Sequence, residues 1–279
     1  YILGFMRTLG LGRLAFWGHG CNWQQDGTPW IEPVKRALLG KVDWWFAYTS
    51  RVAQYVVDNG FPPERVTVVQ NSVDITSFSE AVEAFTERQR SDLRQSLSIA
   101  PEASIGLFCG SMHASKKLNF LVEAAIQIHA RVPSFHLILV GAGPDEHIAR
   151  EAAAEHDWIH YTGPLFEKDK AAHFAIADLF LCPGLVGLAV LEAFAASLPL
   201  FTTSIPVHSP ESDYLTDQVT GMITDFDPVI YGTAVSSCLH DPASLARMSA
   251  AAREASRGYG LEPMVENFAQ GVLACLNAS

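Results

Sequence analysis

The amino-acid sequence predicts an α/β fold built on a parallel sheet. Three observations carry this: short apolar runs alternate with helical stretches, several of the runs are apolar without a polar face, and glycine-bearing turns follow them. The clearest run is Phe135-His-Leu-Ile-Leu-Val140. A strand covered by helices on both faces has no solvated side, so it reads as nearly continuous apolar sequence.

Taken in order, residues 3–10 read as the end of a helix and 14–17 as a strand running into Gly18-His19-Gly20. A loop at 27–33 and a helix at 34–39 follow. Residues 44–48 form a second apolar strand, with Ser50 as the cap of the next helix. Asn59-Gly60 stops that helix and Pro62-Pro63 bars its continuation. Residues 66–69 are a third strand. The polar stretch from 71 to about 100 reads as a connector with a helical middle. Beyond it the rhythm is regular. Strands are expected at 105–109, 135–140, 159–161, 179–182, 200–202 and 221–223. Helices are expected at 118–131, 145–156, 168–175, 188–196 and within 242–276.

The chain has 279 residues, 49% of them hydrophobic, enough for a sizeable core and about two domains. Its formal charge of −11 argues against nucleic acid as the main partner. A local basic patch remains compatible with that total. Five cysteines, Cys21, Cys109, Cys182, Cys238 and Cys275, are widely spaced with no CxxC pair. Three lie in apolar runs, so buried reduced thiols and a reducing, cytoplasmic compartment are expected. The chain opens at Tyr1 without a basic-then-apolar signal segment, and its first residues read as the interior of a domain. The very apolar stretch 173–203 is interrupted by Asp178, Pro183, Glu192 and Pro199. A buried strand, loop, helix and strand fit it better than a membrane helix of about 20 apolar residues.

In an open parallel sheet, ligands bind beyond the carboxyl ends of the strands. Four loops there are unusual. Gly110-Ser-Met-His-Ala-Ser-Lys116-Lys117 leaves a strand and enters a helix, where a lysine and backbone N–H groups suit a phosphate. An ordinary solvated loop explains it too. Gly141-Ala-Gly143-Pro-Asp145 is a weak dinucleotide-like loop, or a tight turn with Asp145 capping the next helix. Gly163-Pro-Leu165 can bring main chain close to a base, or simply turn. Pro183-Gly184-Leu-Val186-Gly187-Leu188 permits a concavity lined by backbone donors, able to hold the growing charge of a diphosphate. It leads to Glu192, a carboxylate in an otherwise apolar helix. Such a group is costly without a partner; the hydroxyl pair of a ribose would serve, and a solvent-facing stripe is the alternative. His19, between two glycines past a strand, suits a cleft or a hydrogen-bonded turn.

Four of these motifs in this order resemble the C-terminal domain of the group 1 (family 4) glycosyltransferases. The matching pieces are Gly110 through Lys116, Val140 to Gly143, Tyr161 to Gly163, and Ala177-Asp178 through Pro183 to Leu191-Glu192-Ala193. Residues 14–78 resemble the end of that family's N-terminal domain, through Trp17-Gly18-His19-Gly20 and Val68 to Asp74. The resemblance implies a GT-B fold, with a partial acceptor-side domain at 1–78, a nucleotide-sugar-binding domain at 79–260, and a C-terminal helix at 261–279 that packs back. Two doubly wound domains would need roughly 300–400 residues, so the N-terminal part is expected to be truncated and the fragment inactive by itself.

The implied activity is transfer of a hexose from a UDP- or GDP-sugar to an acceptor hydroxyl with retention, in glycan, polysaccharide or glycolipid biosynthesis. No cofactor and no metal are implied. His19 would contact the sugar and Lys116 the leaving diphosphate. Gly110, Ser111, Gly141, Gly163, Leu165, Gly184, Val186, Gly187, Leu188 and Glu192 would line the donor site. Acceptors in this family include lipid-linked sugars, which adds a peripheral membrane contact to the expected partners. Two positions depart from the family pattern: Ser111 stands where an arginine is usual, and Gly184 where many members carry a second glutamate. Another GT-B sugar-nucleotide enzyme, such as an epimerase, and a non-catalytic nucleotide-binding protein are the competing readings.

Overall fold

The computed structural model describes residues 12–19, 41–206 and 208–278. The expected helices at 3–10 and 34–39, the loop at 27–33, Gly20 and Cys21 lie outside them. The chain divides into two compact units, one of residues 1–73, 207–213 and 259–279, the other of 74–206 and 214–258.

The smaller unit holds a three-stranded parallel sheet, β1 (Ala15–Gly18), β2 (Trp44–Ala47) and β3 (Val66–Val68), in that order. β2 is buried along its whole length, so both its faces need cover. Alternation supplies it: Trp45 and Ala47 turn to Val52 and Val56 of helix α1 (Ser50–Asp58), while Trp44 and Phe46 turn to the other side. There the terminal helix Leu261–Asn277 packs, with Phe268 stacked on Phe46 at 4.4 Å. Gly271 lets that helix approach closely, since a Cβ there would lie 2.5 Å from the Phe46 ring. The cap of α1 is Thr49, whose hydroxyl accepts the Val52 N–H. Ser50 is already helical, so the cap lies one residue earlier than the sequence suggests.

The stretch read as a connector is two helices, α2 (Ile75–Glu83) and α3 (Glu87–Ser96). Asp74 caps the first, and Thr86 with Gln89 forms a capping box on the second. Both helices belong to the larger unit. Ile75 and Val82 are buried, and Phe78 meets Phe174 edge-on at 5.0 Å. The division therefore falls before residue 74, not after 78, because residues 75–78 already spend their apolar side chains on the larger core.

The larger unit is a doubly wound sheet. Its strands are β4 (Ser104–Cys109), β5 (Phe135–Val140), β6 (Ile159–Gly163), β7 (Leu179–Leu181), β8 (Leu200–Thr203) and β9 (Gly221–Thr224). All pair in parallel, in the order β6-β5-β4-β7-β8-β9. Between them run α4 (Leu118–Arg131), α5 (Glu146–Glu155), α6 (Glu167–Ile176) and α7 (Ala189–Ala195), followed by α8 (Pro228–Leu239) and α9 (Pro242–Ser256). Chain order reverses between β4 and β7, so the loops after these two adjacent strands lie at the switch point, where open sheets of this kind bind ligands. Asp178, just before β7, locks the opposite end. Its carboxylate accepts the Ile105 N–H at 2.7 Å and its own N–H donates to the Ile105 carbonyl at 2.9 Å. Burial raises its pKa, against the pull of that hydrogen bond. Cys109, Cys182, Cys238 and Cys275 are buried free thiols.

Candidate functional site

The loops after β4 and β7 are laced together. The first makes a short 3-10 turn (Ala114–Lys116) and enters α4 through Lys117, which takes the left-handed conformation at φ +58°. Lys116 Nζ donates to the Leu185 carbonyl at 2.5 Å, and the Leu185 N–H donates to the Ser115 carbonyl at 2.8 Å. A Cβ on Gly184 would lie 2.3 Å from the Ser115 oxygen and 2.6 Å from Lys116 Cα. No glutamate fits at this position unless the first loop moves, which gives the departure at 184 a physical cause. Gly187 is different: the nearest atom to its missing Cβ is Lys116 Nζ, at 3.8 Å. The N–H groups of Gly187 and Leu188 meet no acceptor among the described residues. The loop thus places backbone donors beside an ammonium group.

Glu192 sits in the first turn of α7, which begins at Ala189. Its two carboxylate oxygens both lie 2.6 Å from Lys170 Nζ of α6. Neither the solvent stripe nor an unpartnered carboxylate describes it. Lys170 went unread in the sequence, although a signal existed: it is four residues before Phe174, a buried position, and so shares the inward face of α6. Cys109 ends β4 close to this pair. Burial pushes its thiol up to about 12, with Lys170 opposing the shift and Glu192 adding to it.

The glycines after β5 do other work. A Cβ on Gly141 would fall 1.9 Å from the Gly110 oxygen, and one on Gly143 2.3 Å from the Met112 oxygen. At φ +139° and +155° both backbones are also in the region glycine tolerates. Gly141 donates to the Gly163 carbonyl at 2.9 Å, and Met112 to that of Ala142 at 2.9 Å. The Gly-x-Gly is a junction where three neighbouring loops touch backbone to backbone. Asp145 makes no side-chain cap. Gly163, at φ +76°, has open space where a Cβ would stand, and Tyr161 OH donates to the Gly141 carbonyl at 3.1 Å. Leu165 is half-buried between Gly163 and α6.

Gly110, Ser111, Gly141, Gly163 and Leu165 therefore belong to neighbouring loops at the carboxyl ends of β4, β5 and β6. Lys116 is brought against Gly184, Leu185 and Gly187, Val186 between them is buried, and Glu192 is brought against Lys170. His19 belongs to the smaller unit, where its ring meets Tyr48 edge-on with centroids 4.5 Å apart. Among the described residues, no three His, Cys, Asp or Glu side chains are grouped to hold a metal ion, and no helix is long and apolar enough to cross a membrane.

Residues 103–241 match the family model of the glycosyl transferases group 1. D-inositol 3-phosphate glycosyltransferase of Geodermatophilus obscurus is 26% identical over 247 residues, covering 82% of this chain and 52% of that protein. The enzyme of the same name from Thermobispora bispora is 29% identical over 213 residues, covering 70% and 47%. The chain thus spans about half the length of these curated relatives. Among solved structures, Anabaena Alr3699/HepE in complex with UDP and glucose superposes with a TM-score of 0.76 at 17% identity, covering 98% of this chain and 74% of that one. Sucrose-phosphate synthase from Thermosynechococcus elongatus gives 0.72 at 18% identity, covering 95% and 68%. With an α/β fold of the GT-B type around it, the doubly wound segment of residues 103–241, which holds the four motifs, belongs to the group 1 glycosyltransferases.

Proposed function

We propose that the chain supplies the donor site of an enzyme that transfers a hexose from a UDP- or GDP-sugar to an acceptor hydroxyl, with retention and without a metal ion. One observation carries the reading: at the switch point of the sheet, the Lys116 ammonium and the Gly187–Leu188 backbone stand side by side. A leaving diphosphate gathers negative charge as the glycosidic bond breaks. A fixed cation and preorganised N–H groups in a crevice stabilise that charge without having to reorganise. Glu192, one turn further along, receives the ribose hydroxyls. The open backbone at Gly163 to Leu165 reads the base, and Gly110 and Ser111 border the phosphates. Gly141 supports this floor from behind. The role of His19 against the transferred sugar rests on the family likeness alone.

The solved neighbours that hold UDP with glucose, or UDP-glucose, support a nucleotide-sugar donor. The acceptor is a glycan or lipid-linked sugar met in the cytoplasm or at a membrane surface, in polysaccharide or glycolipid synthesis. Calorimetric titration of UDP and GDP tests the donor site. Lys116→Gln is expected to weaken nucleotide diphosphate binding about tenfold or more with only a small fall in melting temperature, because the charge-assisted contact to the ligand is lost together with the hydrogen bond to the Leu185 carbonyl, while the apolar core is untouched. Wild-type protein that binds neither nucleotide would end this reading. Product analysis with labelled donor separates transfer from epimerisation, which returns the label in an altered nucleotide sugar.

A further inference from the structure

Glu192 has its charge answered inside the chain, and the manner of the answer is informative. One ammonium, that of Lys170, stands 2.6 Å from both carboxylate oxygens. A cation shared equally between two oxygens fixes the plane of the carboxylate. An ionised carboxylate offers about four lone-pair positions, of which Lys170 uses one on each oxygen. Two remain, one per oxygen, directed away from the lysine. That is the acceptor pattern of a vicinal diol.

Lys170 is itself held. Its amino group lies 5.5 Å from the Phe78 ring centre and 6.0 Å from that of Phe174, and its side chain is only 23% exposed. Neither partner is free to swing. Without the cation, a carboxylate flanked by Leu191 and Ala193 would turn outward, since a half-buried charge is costly unpaired. The same amino group acts on Cys109, two residues before Ser111.

We propose that Lys170 is a positioning residue for the donor: it fixes the Glu192 carboxylate so that its outward lone pairs take both hydroxyls of a ribose, making the site selective for ribonucleotides over 2′-deoxyribonucleotides. The inference rests on the donor-site reading above.

Calorimetry with UDP and 2′-deoxy-UDP on the wild-type chain, Lys170→Met, Lys170→Arg and Glu192→Gln tests it. Wild type should favour UDP about tenfold, the effect of one charge-assisted hydrogen bond. Lys170→Met should bring the two ligands within about twofold of each other, as should Glu192→Gln, and Lys170→Arg should restore part of the preference. Lys116→Gln should weaken both ligands equally and keep their ratio. A Lys170→Met protein that retains the full preference overturns the role of Lys170, even if Glu192→Gln abolishes it. A wild type that binds both ligands equally overturns the selectivity. If UDP and GDP both fail to bind, the donor-site reading falls and this inference with it. Should Lys170→Met give no cooperative melt, Lys170→Gln decides by the same ratio.

Discussion

The two ends of the six-stranded sheet treat polar groups in opposite ways. At the amino ends of the strands every notable polar group closes on an internal partner. Asp178 holds Ile105. Arg94 donates to the carbonyls of Ala103 and Ile176 at 2.9 and 3.0 Å. His136 and His160 share a hydrogen bond at 2.9 Å, and His129 stacks on Trp158. At the carboxyl ends, the Gly187–Leu188 N–H groups meet no acceptor among the described residues beside the Lys116 ammonium, and Glu192 keeps acceptor positions beyond its lysine. A polar group whose partner is in the chain contributes to stability; one whose second partner is absent is available for binding.

Gly141 tests the limit of that contrast, since it lies at the binding end but serves packing. Gly141→Ala should have the largest effect, more than about 3 kcal/mol, because a Cβ would overlap backbone on a φ that alanine resists. Either no folded protein or a melting temperature lower by about 10 °C is expected by calorimetric scanning. Asp178→Ala should come next, at about 2–3 kcal/mol, because it leaves the Ile105 N–H buried without an acceptor. Its affinity for UDP should equal that of wild type. An amino-end substitution that weakened UDP with no loss of stability would break the contrast.

The histidine pair sharpens it through pH. Burial, then the neighbouring His136, lowers the pKa of His160 to about 4. The folded state therefore prefers the neutral ring, against an unfolded value near 6.5. The stability this brings is fully present above pH 6.5 and is lost as pH falls toward about 4. Thermal melts should drop across that window, and His160→Gln should flatten part of the drop. Asp178, with its raised pKa, acts with the opposite sign: its contribution is present at low pH and lost as pH rises through its folded value. A melting temperature that did not change between pH 6.5 and 4.5 in wild type, nor differ in slope from His160→Gln, would show that the pair is solvated and not closed.

The sequence by itself determined the alternation of strands and helices in the larger unit, because a strand covered on both faces must be apolar throughout and a glycine must mark each sharp exit. Residues 118–131 and 135–140 were legible on those grounds to the residue. It also determined that Gly110 to Lys116, Gly184 to Leu188 and Glu192 would stand at one edge, since parallel strands all end on the same side. Tertiary structure alone decided how those loops meet. Periodicity gives no hint that Gly184 is pressed against Ser115, that the Gly141 pair is backbone packing, or that Glu192 belongs to Lys170, twenty-two residues away. Helix α2 read as part of a connector for the same reason: the burial of Ile75 and Val82 depends on surfaces supplied by α6 and α7, and a contact between distant segments leaves no periodic mark on either one.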